Sequence, residues 1–189
     1  MKITPFLALF IAATTFGADI TTQDTFTYDW NKDGHIDNLK VQANESDEYA
    51  KDLVIYMSRV NMDMIEVDKA VNLSGFFNTN LINDVTVNSD NGNIKISATQ
   101  DTTRDQFNRT LSITFRDGKF LIAGFTYSAL DSTTGDSEQS CDLNFLTKKG
   151  TYTEGTGKKQ DVELNTGAFE LSSWVDDEKY TECSAWIKK

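Results

Sequence analysis

The chain has 189 residues, 29 of them Asp or Glu and 18 Lys or Arg, so its formal charge is −11. Hydrophobic residues make up 39% and aromatics 11%, enough for one buried core in a domain of this size. That balance excludes collagen-like, disordered and multi-span membrane chains. The negative surface excludes a general nucleic-acid binder, whose affinity comes from Lys and Arg displacing counterions from phosphate.

In chain order, Met1-Lys2 opens a short basic end, Phe6 to Ala13 is apolar, and Thr14 to Ala18 is mostly small. The apolar stretch is too short for a transmembrane helix, which needs about 20 residues. The pattern is that of a secretory signal peptide. We expect a signal segment over 1–18 and a single domain over 19–189, periplasmic or secreted, with no membrane span in the mature chain. Cleavage after Gly17 or after Ala18 is open.

The segment Phe26-Thr-Tyr-Asp-Trp-Asn-Lys-Asp-Gly-His-Ile-Asp-Asn-Leu-Lys-Val41 is the most informative. Asp29, Asn31 and Asp33 stand at positions 1, 3 and 5 of a loop, Gly34 at 6 and Asp37 at 9. Oxygen donors at alternating positions can converge on a calcium ion when the backbone curls around it, and the position-7 donor is a backbone carbonyl, here that of His35. Glycine at position 6 allows the sharp bend. Ile36 is expected to anchor the chain back into the core. Trp30, at position 2, faces away from the ion, either as a cover on the hairpin or as an exposed binding residue.

An EF-hand is not present, because position 12 is Lys40 rather than a bidentate Glu and the flanks read as strands. The spacing resembles the D-x-[DN]-x-D-G-x-x-D loop of FG-GAP and integrin-type repeats, where such a loop joins two strands. Phe26–Tyr28 and Asn38–Val41 fit those strands. The resemblance covers about 16 residues and implies a structural calcium ion held by Asp29, Asn31, Asp33, His35 and Asp37. FG-GAP proteins stack many repeats into a propeller; this chain carries one, so no propeller is implied. More loosely, the chain looks like small bacterial exported proteins of unknown function that carry one such loop.

Asp52 to Met57 reads as a buried strand. Met64 to Val71 is rich in strand formers, with a helix as its alternative. Val85, Val87, Ile94 and Ile96 form an apolar comb around a turn at Asn91-Gly92. In Leu111 to Phe125, Asp117-Gly118 is a preferred pair for a two-residue type I′ turn. That turn sets Arg116 opposite Lys119, Phe115 opposite Phe120 and Ile113 opposite Ile122. A slip of one residue would turn each apolar side chain to the other face. Asp131 to Ser140 reads as a polar loop, Cys141 to Leu146 as a strand, Gly150 to Lys159 as a loop, and Thr181 to Ile187 as a strand. Trp174 and Trp186 are expected in the core. The fold class is mainly β: an antiparallel sheet, sandwich or partly open barrel built of hairpins, with few or no helices.

Two cysteines in an exported chain point to one disulfide, Cys141–Cys183. The catalytic motifs the chain lacks make a non-enzyme the expected reading over an enzyme. His35 is the sole histidine and lies inside the metal loop, which leaves no Ser-His-Asp set. Acidic pairs such as Glu45 with Asp47, or Asp176-Asp177-Glu178, read first as solvated charge. The functional expectation is an exported, calcium-stabilised, non-enzymatic domain that binds a protein or glycan. An inhibitor or immunity protein against a basic envelope enzyme or toxin is the alternative. A hydrolase of envelope polymers using paired carboxylates ranks third.

Overall fold

The register expected from Asp117-Gly118 is the register found. In the computed structural model, Phe115 faces Phe120, Arg116 faces Lys119 and Ile113 faces Ile122. Asp117 and Gly118 both take positive φ, 53° and 77°, which matches the right-handed strand twist. The structure describes residues 24–47, 50–58, 63–70, 73, 76–77, 81–101, 105–131, 137–174 and 182–188. The expected signal segment therefore lies outside the described residues, as do Asp176 to Glu178.

Twelve strands are described: β1 (Asp24–Tyr28), β2 (Asp37–Ala43), β3 (Lys51–Ser58), β4 (Met64–Ala70), β5 (Ile82–Val87) and β6 (Ile94–Asp101), followed by β7 (Asp105–Arg116), β8 (Lys119–Asp131), β9 (Ser137–Asn144), β10 (Lys149–Glu154), β11 (Gln160–Glu163) and β12 (Phe169–Glu170). They form two antiparallel sheets. One runs β1-β2-β3-β4, and the other runs β11-β10-β9-β8-β7-β6-β5 with β12 against the start of β8. The arrangement is sandwich-like rather than a closed barrel. Leu39, Leu53 and Ile55 of the small sheet are fully buried in one core with Ile94, Ile96, Leu111 and Ile122 of the large one. Burying each such side chain contributes about 1.5–3 kcal/mol. Met64–Ala70 is a strand, not a helix. Among the described residues helical structure is limited to short 3-10 turns, including Leu171–Ser173 and Cys183–Ala185.

One expectation is widened and three are corrected. The comb pairs as expected, Val85 with Ile96 and Val87 with Ile94, and its connection is a four-residue loop, Ser89–Gly92, that contains the turn expected at Asn91-Gly92. Asn88 N–H donates to Asn93 O (2.9 Å) and Gly92 N–H to Asn88 O (2.8 Å), which closes the wider loop. Asp131 ends β8, and Ser137 to Ser140 begin β9, so the polar connection is shorter than Asp131 to Ser140. Gly150 to Glu154 is strand β10, paired on both sides. A Cβ at Gly150 would press on Asp142 O and Leu143, so this glycine serves close strand packing rather than loop freedom. Finally, of the stretch expected as a strand over Thr181 to Ile187, the described residues hold the 3-10 turn Cys183–Ala185 and an antiparallel bridge, Leu164 with Ile187.

Cys141 and Cys183 are bonded, with Cα atoms 5.8 Å apart and a sequence separation of 42. The bond holds the C-terminal segment against β9, where Trp186 packs on Phe145 (5.0 Å between rings) and beside Trp174 (6.4 Å). Both tryptophans are buried as expected.

Asp68, on the outermost strand of the small sheet, is half-buried and accepts hydrogen bonds from the Lys69 N–H and from Ser172. Burial pushes its carboxyl above the ordinary carboxylate range, against those hydrogen bonds, and the charge of Glu170 adds to the rise. An acid raised in the folded state subtracts stability above its folded value, and that cost vanishes as pH falls through it. Asp68→Asn should therefore raise the melting temperature at pH 7 by about 1–3 °C, with the gain gone in acid where Asp68 is already protonated. Paired thermal melts of the two proteins across pH 3–7 check this, and a lower melting temperature for the variant at pH 7 would contradict it.

Candidate metal centre

The nine-residue segment Asp29–Asp37 joins β1 to β2, which pair from Tyr28↔Asp37 to Asp24↔Val41. The flanks are thus the antiparallel strands expected from the sequence. Gly34 has φ of 86° with open space where a Cβ would stand, so its role is conformational. Lys32 also takes a positive φ of 60°.

The loop is organised by its own acidic and amide side chains. The Asp29 carboxylate accepts from the backbone N–H of Asp33 (3.1 Å) and of Gly34 (3.0 Å). Asn31 Oδ1 accepts from the Asp33 N–H (3.1 Å), and Asp33 Oδ1 from the His35 N–H (2.8 Å). Asn31 Nδ2 donates to Asp33 Oδ2 (2.9 Å). The His35 N–H, then the Asn31 amide, hold Asp33 below the ordinary carboxylate range. Asp29, Asn31 and Asp33 therefore turn toward the loop's concave side, on an exposed surface.

Asp37 behaves differently. It is fully buried, with Oδ2 accepting from the Trp30 N–H (2.9 Å) and Oδ1 from the Ser58 N–H (2.9 Å). Burial pushes its carboxyl up, the two N–H donors pull it back, and the negative charges of Asp33 and Asp29 push it up again. Asp37 thus ties the loop to the end of β3. Each carboxylate oxygen has a second acceptor site, so these bonds do not exclude it as a ligand.

One side chain departs from expectation. Ile36 is 57% exposed and does not anchor the chain in the core. Trp30 does that instead: it is 4% exposed, its Nε1 donates to Gly92 O in the β5–β6 loop (2.7 Å), and its ring meets the edge of Phe120 at 5.5 Å and Tyr28 at 5.7 Å. The choice left open for Trp30 is resolved: it is a buried plug. No short-range signal names Gly92 as its partner, because the two are 62 positions apart.

The donor set suits a hard divalent cation. Three carboxylates, one amide oxygen and one backbone carbonyl are all oxygen ligands, the type calcium takes, and a cation would relieve the mutual repulsion of Asp29, Asp33 and Asp37. Among the described residues no three His, Cys, Asp or Glu side chains are gathered into a group that could hold a metal ion.

A second polar site has no signature in the sequence. Asp68, Lys119, Glu170 and Ser172 line a cleft of about 300 Å³ floored by Met57, Phe115 and Phe120. Lys119 is paired with Glu170, and the Asp68 carboxyl is taken up by Ser172 and the Lys69 N–H. Of the acidic pair Glu45 and Asp47, the former is exposed, and the connection they occupy is organised by Asn44 Oδ1, which accepts from the Ser46 and Asp47 N–H groups. Comparison of the chain with known protein families, with curated proteins and with solved structures finds no match. No described helix is long and apolar enough to cross a membrane.

Proposed function

We propose that the chain is an exported, non-enzymatic binding domain in which the Asp29–Asp37 loop takes a calcium ion as a structural element, in the manner of the FG-GAP loop it resembles. The observation that carries this reading is the inward turn of Asp29, Asn31 and Asp33 over the backbone N–H groups of residues 33 to 35. Gly34 supplies the bend that such a wrap requires. The disulfide is compatible with an oxidising compartment and supports export.

Lacking a bidentate Glu, the site should bind in the extracellular range, with a dissociation constant of roughly 10⁻⁴–10⁻³ M. At about 1 mM calcium and a constant near 10⁻⁴ M, linkage gives about 1.4 kcal/mol of added stability. Calorimetric titration with calcium chloride should show saturable heat, and the melting temperature should rise by about 3–6 °C at millimolar calcium. No heat and an unchanged melting temperature would contradict the reading.

The net charge of −11 supports a basic protein as the partner, through steering of encounter by long-range attraction. This is the charge pattern of an inhibitor or immunity protein, while a glycan would require contacts of a different kind. A hydrolase would use the Asp68–Glu170 cleft, but both carboxyls there are engaged in structural contacts, which favours the binding reading.

A further inference from the structure

Ile94, Ile96, Leu111 and Phe125 turn from the large sheet into the shared core. By strand alternation, Thr99 and Asp101 of β6, Asn108 and Gln106 of β7, and Ser128 and Leu130 of β8 turn to the opposite, outer face. The register sets them in two rows across the three strands: Thr99, Asn108 and Ser128 in one, Asp101, Gln106 and Leu130 in the other. All six line an open groove of about 310 Å³, at the small end of ligand sites. Strands lie about 4.8 Å apart and alternate residues along a strand about 6.8 Å, so the array covers an area of disaccharide size.

The lining carries a single charge, Asp101, in a chain where 25% of residues are charged. Gln106 Nε2 donates to Asp101 Oδ1 (2.9 Å). That bond sets the two planar groups side by side and leaves the Gln106 amide oxygen and the second Asp101 oxygen as acceptors. Asn108 and Ser128 are exposed and Thr99 is half-buried, so an amide and two hydroxyls add donors and acceptors beside them. One row further along the strands, Ser97 and Thr110 are hydrogen-bonded to each other (2.9 Å), and that pair offers less to a ligand. Leu130 is 42% exposed, an apolar side chain set among these polar ones. Beside it the β8–β9 register shifts, Ala129 meeting Gln139 and Leu130 meeting Ser137, a bulge that locally disrupts the ladder.

Planar amides, a carboxylate, hydroxyls and one apolar side chain on a shallow surface complement a sugar, which presents hydroxyls at its rim and C–H groups on its ring face. Charge selects among sugars. The net charge of −11 repels an acidic glycan, and a lining with one carboxylate gives a polycation little to pair with. We propose that this groove binds a neutral oligosaccharide, with Asn108, Gln106 and Asp101 bonding its hydroxyls and one ring face lying on Leu130. The groove binds and does not cleave, because glycoside hydrolysis uses a pair of carboxyls and Asp101 is the sole acid in the lining. The site goes beyond the basic-partner reading and does not depend on the calcium loop.

The test is NMR titration of the isotope-labelled full chain with cellotriose, maltotriose and chitotriose, each to about 10 mM, with glycerol as the control for hydroxyl groups in general. At least one of the three sugars should give saturable shifts with a dissociation constant of about 1 mM. Those shifts should centre on the Asn108 and Gln106 side-chain amides and the Leu130 backbone amide. Asn108→Ala should weaken that binding by about fivefold, the worth of one neutral hydrogen bond, while Asp68→Asn, in the cleft beside β4, leaves it unchanged. The proposal is overturned by no saturable shift from any sugar, by equal shifts from glycerol, or by saturable shifts centred elsewhere on the chain. An Asn108→Ala variant that binds as tightly as wild type overturns it too. The wild-type shift map decides the matter even if Asn108→Ala does not fold.

Discussion

Trp30→Ala lowers the melting temperature by about 10 °C, the largest effect expected from any single substitution in the β1–β2 loop. Truncating a buried Trp costs about 3–5 kcal/mol through lost transfer energy and the cavity left behind. The lost indole donor adds about 1 kcal/mol by leaving Gly92 O without its partner. For a domain of this length each kcal/mol is worth about 2–4 °C. The cavity would open where Tyr28, Phe120 and Gly92 meet, on the seam between the sheets, so collapse of one sheet onto the gap is opposed by the strand pairing of both. Thermal unfolding followed by circular dichroism measures the shift. A fall of under 2 °C would mean that the tryptophan does not carry the seam.

Replacing both cysteines, Cys141→Ala with Cys183→Ala, costs about 4 kcal/mol. With a sequence separation of 42 between the bonded residues, loop entropy released to the unfolded chain accounts for about that amount. The loss falls on a particular part of the fold. The C-terminal segment is also held by the packing of Trp186 on Phe145 and Trp174, by the Leu164–Ile187 bridge, by the Asn165 N–H donating to Trp186 O (2.9 Å) and by the exposed Lys188–Glu163 pair (2.8 Å). The exposed ion pair contributes at most about 1 kcal/mol, so without the covalent tie the segment depends chiefly on the packing of Trp186. Urea unfolding of the double variant should show a lower midpoint, with Trp186 becoming solvent-exposed first in fluorescence quenching. Equal midpoints for wild type and variant would contradict this role.

Strand pairing is legible in the sequence wherever the chain contacts itself nearby. Asp117-Gly118 dictates its own turn, so the register of β7 and β8 follows at once, and the Val85–Ile96 comb shows its faces by alternation alone. The positive φ of Gly92 is equally legible, but the width of its loop is not, because Asn88 closes a four-residue connection with its side chain and carbonyl. The disulfide is legible because only two cysteines exist. The segment around Cys183 misleads because its alternating apolar residues suit a strand, whereas the disulfide and one bridge leave it a 3-10 turn.

The loop's ligand spacing and Gly34 are readable for the same reason, since both lie within nine residues. What lies beyond reach is the loop's surroundings. Trp30 is buried because Gly92 and Phe120 reach it from the opposite sheet, and no nearby residue foretells that Ile36 is left exposed. Asp68, Lys119 and Glu170 meet in the same way: β4, β8 and β12 converge only once the sheets have packed.

The central claim is that the oxygens of residues 29 to 37 enclose a calcium ion. Diffraction from crystals grown in millimolar calcium tests it most directly. The account predicts a strong density peak within about 2.3–2.6 Å of Asp29, Asn31 and Asp33 side-chain oxygens and the His35 carbonyl, with Trp30 still on Gly92. Well-ordered loop density around a water molecule, or around nothing, would contradict it.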